Sequence, residues 1–329
     1  MIRNQWYIVL ESFEVKKGKP VGVTRMGEKM VFWRDEKSEV HCLVDLCPHL
    51  GAPLSLGKVN HNHVACPFHG FEYDASGACV HLPAYGSNGK IPKALKARAY
   101  PAYEAHGLIW VWWGEEPAKD LLPPAFLESL EDEKFVFARF RDRWKVHYSR
   151  MAENQLDVMH LPFIHSNTIG RGNRTVVDGP YIELEDGLME IWVMNRLDDG
   201  SPILKPKDLK RPDRRPFLQF RFPNLWHNWI SEDIRIMIAF VPVDEENTIM
   251  MGRFYQKVVR FPLAQQLFLL SGVIGSRVIA NQDKRVVSRQ LPIKTSLRMG
   301  EKLMSGDYGV LTFRTERNRL KALAGHPEE

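Results

Sequence analysis

Two matched pairs of ligand-type residues stand in the segment "CPHLGAPLSLGKVNHNHVACPFHG", Cys47 to Gly70. Cys47-x-His49 and Cys66-x-x-His69 are separated by sixteen residues. Two thiolates and two imidazoles at fixed spacing suit zinc or an iron–sulfur cluster. Three details favour the cluster. Glycine follows each pair closely, as Gly51 and Gly70. Such a residue lets a loop approach a bulky group and aim backbone N–H groups at its sulfurs. Proline follows each cysteine, as Pro48 and Pro67, and stiffens the loop. The order Cys-His, Cys-His also allows the cysteines to hold one iron and the histidines the other. His61 and His63, in the polar "NHNH" connection, read as solvated loop residues. Cys42 and Cys79, in strand-like segments, read as small buried hydrophobes.

A second constellation follows in "ENQLDVMHLPFIH", Glu153 to His165. Asn154, Asp157 and His160 are three apart, which predicts one face of a helix that Pro162 ends. His165 then turns back toward His160. Two histidines and one carboxylate leave positions open on one side of a ferrous ion, where dioxygen and a substrate can meet. The third ligand must come from elsewhere in the chain; Asp157 is close, but another role suits it better. No Gly-rich dinucleotide fingerprint follows a strand, so no flavin or NAD site is evident and electrons must come from another protein.

The spacing C-x-H-x16-C-x-x-H resembles the Rieske motif. "CPHLGA…CPFHGFEYD" is similar to its form in the Rieske non-haem iron oxygenases. N-x2-D-x2-H-x4-H, over Asn154, Asp157, His160 and His165, resembles the mononuclear iron motif of the same family. "NQWYIVL", "LIWVWWGE", "RIMIAFVPVDEENT" and "RFYQ" extend the likeness over most of the chain. The resemblance implies one Rieske [2Fe–2S] cluster per subunit on Cys47, His49, Cys66 and His69. It also implies one Fe(II) per subunit on His160, His165 and Asp283, the last in "RVIANQDKRVVSRQLP". In this family the aspartate matching Asp157 is not a ligand; carried over, Asp157 joins His160 to His69 of the partner subunit in a homotrimer. Asn154 would sit near the iron without coordinating it strongly. Ala52 and Phe68 stand where some Rieske proteins carry an inter-loop disulfide, which argues against the respiratory type, and Phe71 stands where many relatives have tryptophan.

The function so implied is that of a terminal oxygenase α subunit of the α-only branch. It would use O2, and electrons from a separate NAD(P)H-dependent reductase and/or ferredoxin, to hydroxylate or oxidatively demethylate a small hydrophobic or aromatic substrate. Ring cis-dihydroxylation is the alternative within the class. An electron-transfer protein carrying only the cluster, or a zinc-stabilised binding module, are alternatives outside it.

These residues need elements to hold them. From Gln5 to Trp113, short runs such as "WYIVL", "KMVFWRD", "VHCLVDL" and "GLIWVWW" are separated by turn residues and predict a compact antiparallel β domain. "GEEPAKDLLPPAF", with Pro117, Pro123 and Pro124, marks the boundary, giving domains 1–118 and 119–329. The second part alternates longer strand candidates with a helical segment, about Leu263 to Arg289. That order predicts an α+β fold, an antiparallel sheet covered by helices, and the resemblance makes it a helix-grip catalytic domain. "LQFRFPNLWHNWI" and "RIMIAFV" are candidates to line the substrate pocket, with Trp226, His227 and Trp229 as its aromatics.

The net charge of +5 is spread without a dense basic run, giving little support for nucleic acid. Four cysteines are no disulfide framework. The N-terminus lacks a signal-peptide pattern, and the longest uncharged stretch, Phe261 to Ser276, is too short to span a bilayer. The expectation is a soluble, cytoplasmic protein, with that stretch forming a packed core helix.

Overall fold

The computed structural model describes residues 1–86, 89–115, 118–120 and 122–326. Pro117, part of the expected boundary, lies outside the described residues. The chain divides into two compact units, one of Met1 with Arg3–Pro123 and one of Ile2 with Pro124–Glu329.

Among the described residues, three antiparallel sheets build the first unit. One joins Gln5–Glu11, Leu108–Trp113 and Ala102–Ala105; a second joins Val21–Arg25, Glu28–Arg34, Val40–Val44 and Ala99–Tyr100. The third joins the short strands Lys58–Asn60, His63–Ala65, Glu72–Tyr73 and Cys79–His81. The strand Glu28–Arg34 explains how so many sheets share one unit. Its side chains alternate across the backbone. Met30 and Phe32 enter a core with Tyr7, Ile109 and Val111. Val31 and Trp33 enter another with Leu43, Leu54 and Tyr73, which also contains Cys47 and Cys66. A strand apolar on both faces thus welds the cluster-bearing loops to the rest of the unit. Cys42 and Cys79 are buried as free cysteines, and burial raises both thiols.

The second unit holds a seven-stranded antiparallel sheet. Its order is Val136–Trp144, Thr248–Gln256, Ile234–Pro242, Leu225–Trp229, Leu218–Arg221, Leu188–Trp192, Tyr181–Glu185. The last two form a hairpin closed by Asp186-Gly187, both at positive φ, as a two-residue turn of this hand requires. Among the described residues, five α-helices accompany the sheet: α1 (Ala125–Asp132), α2 (Tyr148–Leu156), α3 (Leu161–Ile164), α4 (Pro262–Val287) and α5 (Tyr308–Leu323). α4 lies on the strands Val136–Trp144 and Thr248–Gln256. Gly272 permits its close approach, since a Cβ there would sit 2.3 Å from the Phe254 ring. α5 packs on α2, and Arg314 clamps the two with paired bonds of 2.9 and 2.6 Å to the Glu153 carboxylate.

Four sequence expectations need correction. The helix before the second motif does not run to Pro162; it stops at Leu156, and Asp157 is already extended, with ψ 120°. The Asp157 carboxylate accepts the Met159 N–H at 2.7 Å, a local bond that competes with the helix ladder. Pro162 instead sits in the first turn of α3, where its missing N–H costs nothing. Asn154, Asp157 and His160 therefore do not share one helical face.

The stretch from Phe261 was expected to be too short for a bilayer. It belongs to a 26-residue helix that is long and apolar enough to cross one, judged by length and composition. Nor is it a packed core helix along its length, because Leu263, Leu267, Leu270, Ile274 and Val278 are exposed. α1, which begins where the proline-rich stretch ends, and α5 were not anticipated. The third omission, Val136–Trp144, is an edge strand whose inner face holds Phe140 and Trp144 between charged residues.

Candidate active site

The two cluster loops are copies of one backbone device. Cys47 N–H donates to Ala52 O and Gly51 N–H returns to Cys47 O, at 2.8 and 2.9 Å. Cys66 N–H donates to Phe71 O and Gly70 N–H returns to Cys66 O, at 2.8 and 3.1 Å. Gly51 and Gly70 close the two loops with φ of +75° and +72°, values that disfavour a side chain. The result sorts the four residues by depth. Cys47 and Cys66 are buried, while His49 and His69 are exposed, their ring centroids 4.8 Å apart. Burial raises the Cys66 thiol, while backbone N–H groups of Phe68 and His69 pull it down and the Cys47 thiol beside it pushes it up. Tyr73 Oη lies 3.1 Å from Cys47 Sγ, and burial, with the Cys47 contact, raises the phenol. Paired sulfurs inside, paired imidazoles outside and N–H donors on a sulfur fit a Rieske [2Fe–2S] group. His61 is exposed in a turn and pairs with Glu36, as expected; His63 instead opens the strand His63–Ala65, is half-buried and pairs with Glu72.

The second site lies wholly in the second unit. His160 is the residue before α3, His165 the residue after it, and Asp283 is in the last two turns of α4. One short helix thus sets the two imidazoles 5.2 Å apart by centroid, and the long helix delivers the carboxylate. Asp283 Oδ1 lies 3.0 Å from His165 Nε2 and 3.6 Å from His160 Nε2. One ligand atom from each residue falls within 4.8 Å of the others, so the three could hold a metal ion. Asp283 Oδ1 is buried and makes no hydrogen bond, a costly state for a carboxylate oxygen that a cation relieves. The far side of His165 is anchored: Nδ1 meets Gln282 Oε1 at 2.8 Å, and Thr168 Oγ1 donates to the same oxygen at 3.0 Å. That bond makes Nδ1 the protonated nitrogen and leaves Nε2 a lone pair for a metal. Burial lowers the His165 pKa, but the neighbouring Asp283 carboxylate and the Gln282 oxygen leave it raised overall. A bound cation would reverse that balance.

Asp157 Oδ2 lies 3.4 Å from His160 Nδ1, yet that buried nitrogen makes no hydrogen bond. Asn154 does not line the cavity at this site. Its neighbour Gln155 does, with Nε2 3.4 Å from Asp283 Oδ2. Gln155, Gln282 and Thr168 escaped sequence reading because nothing in spacing separates them from ordinary polar residues of a helix or turn.

The cavity has a volume of about 310 Å³, and Asp157, His160, His165 and Asp283 form one end of it. The rest is mainly apolar, with Phe140, Trp226, Ile236, Ile238 and Met250 from the sheet and Ile279 and Ala280 from α4. The register explains the sheet's share. Trp226 pairs with Ile238, Ile238 with Gly252, and Gly252 with Phe140, so one row crosses four strands on one face. Of the three expected aromatics, Trp226 lines the cavity and His227 and Trp229 do not. Strand alternation turns them away: His227 stacks on Phe126 at 4.5 Å, and Arg235 covers Trp229.

Comparison with known families decides the class. Residues 5–101 match the Rieske [2Fe-2S] domain, and residues 144–323, more than half of the chain, match the vanillate O-demethylase oxygenase C-terminal domain. The chain belongs to the Rieske non-haem iron oxygenases. It therefore carries a Rieske cluster in its first domain and a mononuclear iron in its catalytic domain. Among the relatives of this Rieske oxygenase is the dicamba O-demethylase oxygenase component of Stenotrophomonas maltophilia. It is 28% identical over 252 residues, which are 75% of this chain and 69% of that protein. The vanillate O-demethylase oxygenase subunit of Pseudomonas sp. (strain HR199 / DSM 7063) is 31% identical over 172 residues, 51% of this chain and 46% of that one. In fold, the oxygenase is similar to the crystal structure of dicamba monooxygenase bound to dicamba. The TM-score is 0.72 with 21% identity, over 99% of both chains.

Proposed function

We propose that this chain is the terminal oxygenase of a multicomponent system and hydroxylates or oxidatively demethylates a small hydrophobic or aromatic substrate. The observation that carries the reading is the convergence of His160, His165 and Asp283 on one end of a largely apolar cavity. A ferrous ion held by these three residues, with electrons arriving from the cluster, supplies the activation of dioxygen. The protein's residues do the rest. Gln282 and Thr168 fix the His165 ring, and Gln155 steadies the Asp283 oxygen that His165 does not face. Trp226, Ile238 and Phe140 exclude water and hold an apolar group against the metal end.

Cys47 and Cys66 would hold the inner iron of the cluster and His49 and His69 the outer one, where electrons leave. Exposed Leu46, Leu50 and Phe68 rim these imidazoles, which suits docking of another protein surface. In the arrangement we propose, a homotrimer brings that face onto the Asp157 side of the neighbouring catalytic domain, so that Asp157 joins His160 to His69 of the partner subunit. A separate reductase or ferredoxin feeds the cluster, and the assembly works in the cytoplasm. The relatives named for dicamba and vanillate demethylation support the chemistry. The test is substrate-dependent O2 uptake with a surrogate reductase, read together with product mass. A product gaining one oxygen atom, or losing a methyl group, agrees; O2 uptake without any product under a broad aromatic screen argues against.

A further inference from the structure

A second cavity of about 250 Å³ adjoins the first and shares Leu161, Ile169, Val193 and Phe217 with it. The two are chemically opposite. No lysine or arginine lines the inner cavity, whose ionisable groups are the iron-site residues Asp157, His160, His165 and Asp283. The outer cavity is lined by Arg171, Arg174 and Arg214. None of the three pairs with a carboxylate among the described residues. Arg171 Nε donates to Asn167 O and Arg214 Nη2 to Val193 O, which leaves most of their N–H groups available.

We infer that the substrate is an amphipathic anion, its apolar body in the inner cavity and its acidic group in the arginine-lined outer one. The inference rests on the inner cavity being the oxygenase site. An acidic group placed inside would lose its hydration with no arginine or lysine to pair with, and coordinating the iron instead would take up a position that dioxygen needs. The same group placed outside meets guanidinium forks that suit planar oxyanions and stays partly hydrated. The shared apolar wall joins the two ends, so one molecule can satisfy both. The substrate is thereby separated from a compact acid wholly enclosed at the metal end and from a neutral hydrocarbon. Its acidic group is a carboxylate, sulfonate or phosphate carried on an apolar body long enough to cross Phe217 and Val193.

The test uses the metal-loaded protein and a defined panel: dodecanoate, 4-hexylbenzoate and 6-phenylhexanoate, each with its neutral primary amide, and dodecyl sulfonate and dodecyl phosphate as further anions. Dissociation constants are measured by calorimetry at low and at high salt. The acids should bind at least about tenfold more tightly than their amides at low salt. High salt should shrink the difference. Arg174→Gln and Arg214→Gln together should remove it, whereas Lys16→Gln, which deletes a charge on the other unit, should not. Comparison of the three anion types assigns the acid. Equal binding of acids and amides overturns the inference, as does an acid preference that survives loss of both arginines, or failure of the whole panel to bind. The oxygenase reading fails separately: acids bind selectively, yet no member of the panel or of the aromatic screen yields an oxygenated product.

Discussion

Asp157 Oδ2 faces His160 Nδ1 at 3.4 Å, at the point where α2 stops and the chain turns toward α3. The same carboxylate holds the turn through the Met159 N–H, so one side chain both ends a helix and addresses an imidazole.

Replacing Asp157 by asparagine should keep both metal sites, because the amide can still accept the Met159 N–H through its oxygen. Electron arrival at His160 should slow by about 10–100-fold, the usual cost of losing a carboxylate behind a metal-binding histidine. Single-turnover product formation measures this. An unchanged rate with unchanged iron content contradicts the role given to Asp157.

Asp283→Ala should remove the mononuclear iron and leave the cluster, because the carboxylate comes from α4 in the second unit while Cys47 and Cys66 lie in the first. Iron analysis should show loss of the single iron alone, and the cluster's visible spectrum should persist. Retention of full iron and full turnover would remove Asp283 from the site.

Gly252 leaves space for Phe140, whose ring carbon would sit 2.1 Å from a Cβ at that position. Gly252→Ala should drive the ring toward the cavity and cost about 1–3 kcal/mol, the usual range for overpacking. KM should rise while the iron content stays normal. Thermal melting and steady-state kinetics check the two halves of this expectation.

Arg314 and Glu153 form a buried pair that ties α5 to α2, with Glu301 as a further partner of the arginine at 2.6 Å. Breaking it by Arg314→Met should cost about 3–5 kcal/mol, since the glutamate is left with a single arginine neighbour in a dry site. Denaturant unfolding measures the loss. Arg150, 3.7 Å from Glu153, sets the lower end of the range.

His227 is buried against Phe126, and burial, aided by Arg235, lowers its pKa to about 3. Its folded pKa is below the unfolded value of 6.5, so between these pH values the unfolded chain binds the extra proton. Stability therefore falls as pH drops from 6.5 toward 3, by at most about 4–5 kcal/mol for this group. His227→Gln should flatten that part of the stability curve. An unchanged acid slope contradicts the assignment.

Both candidate metal sites were legible in the sequence because ligand chemistry demands fixed residue types at fixed spacing. The Cys-His pairs, the glycines closing their loops and the His160/His165 pair needed no tertiary knowledge. Asp283 was reached only through family likeness, since one aspartate on a charged helix carries no signal of its own. The helix expected through His160 failed because an aspartate's local bond to Met159 outweighed apolar periodicity. His227 and Trp229 were expected in the pocket, but strand alternation turned them away and brought in Asn228 and Ile230 with Trp226. The outer arginines were invisible for a different reason. Arg171 and Arg174 are close in sequence, but Arg214 is distant and meets them only when the chain has folded.

The central claim is that electrons held by the cluster are consumed at His160, His165 and Asp283. It is tested most directly by rapid mixing of fully reduced, substrate-bound protein with O2, following reoxidation of the cluster. The wild type should reoxidise fast and form product in proportion, while the His160→Ala/His165→Ala variant, its cluster intact, should reoxidise far more slowly and form none. Equal rates and equal product in the two proteins would contradict the claim.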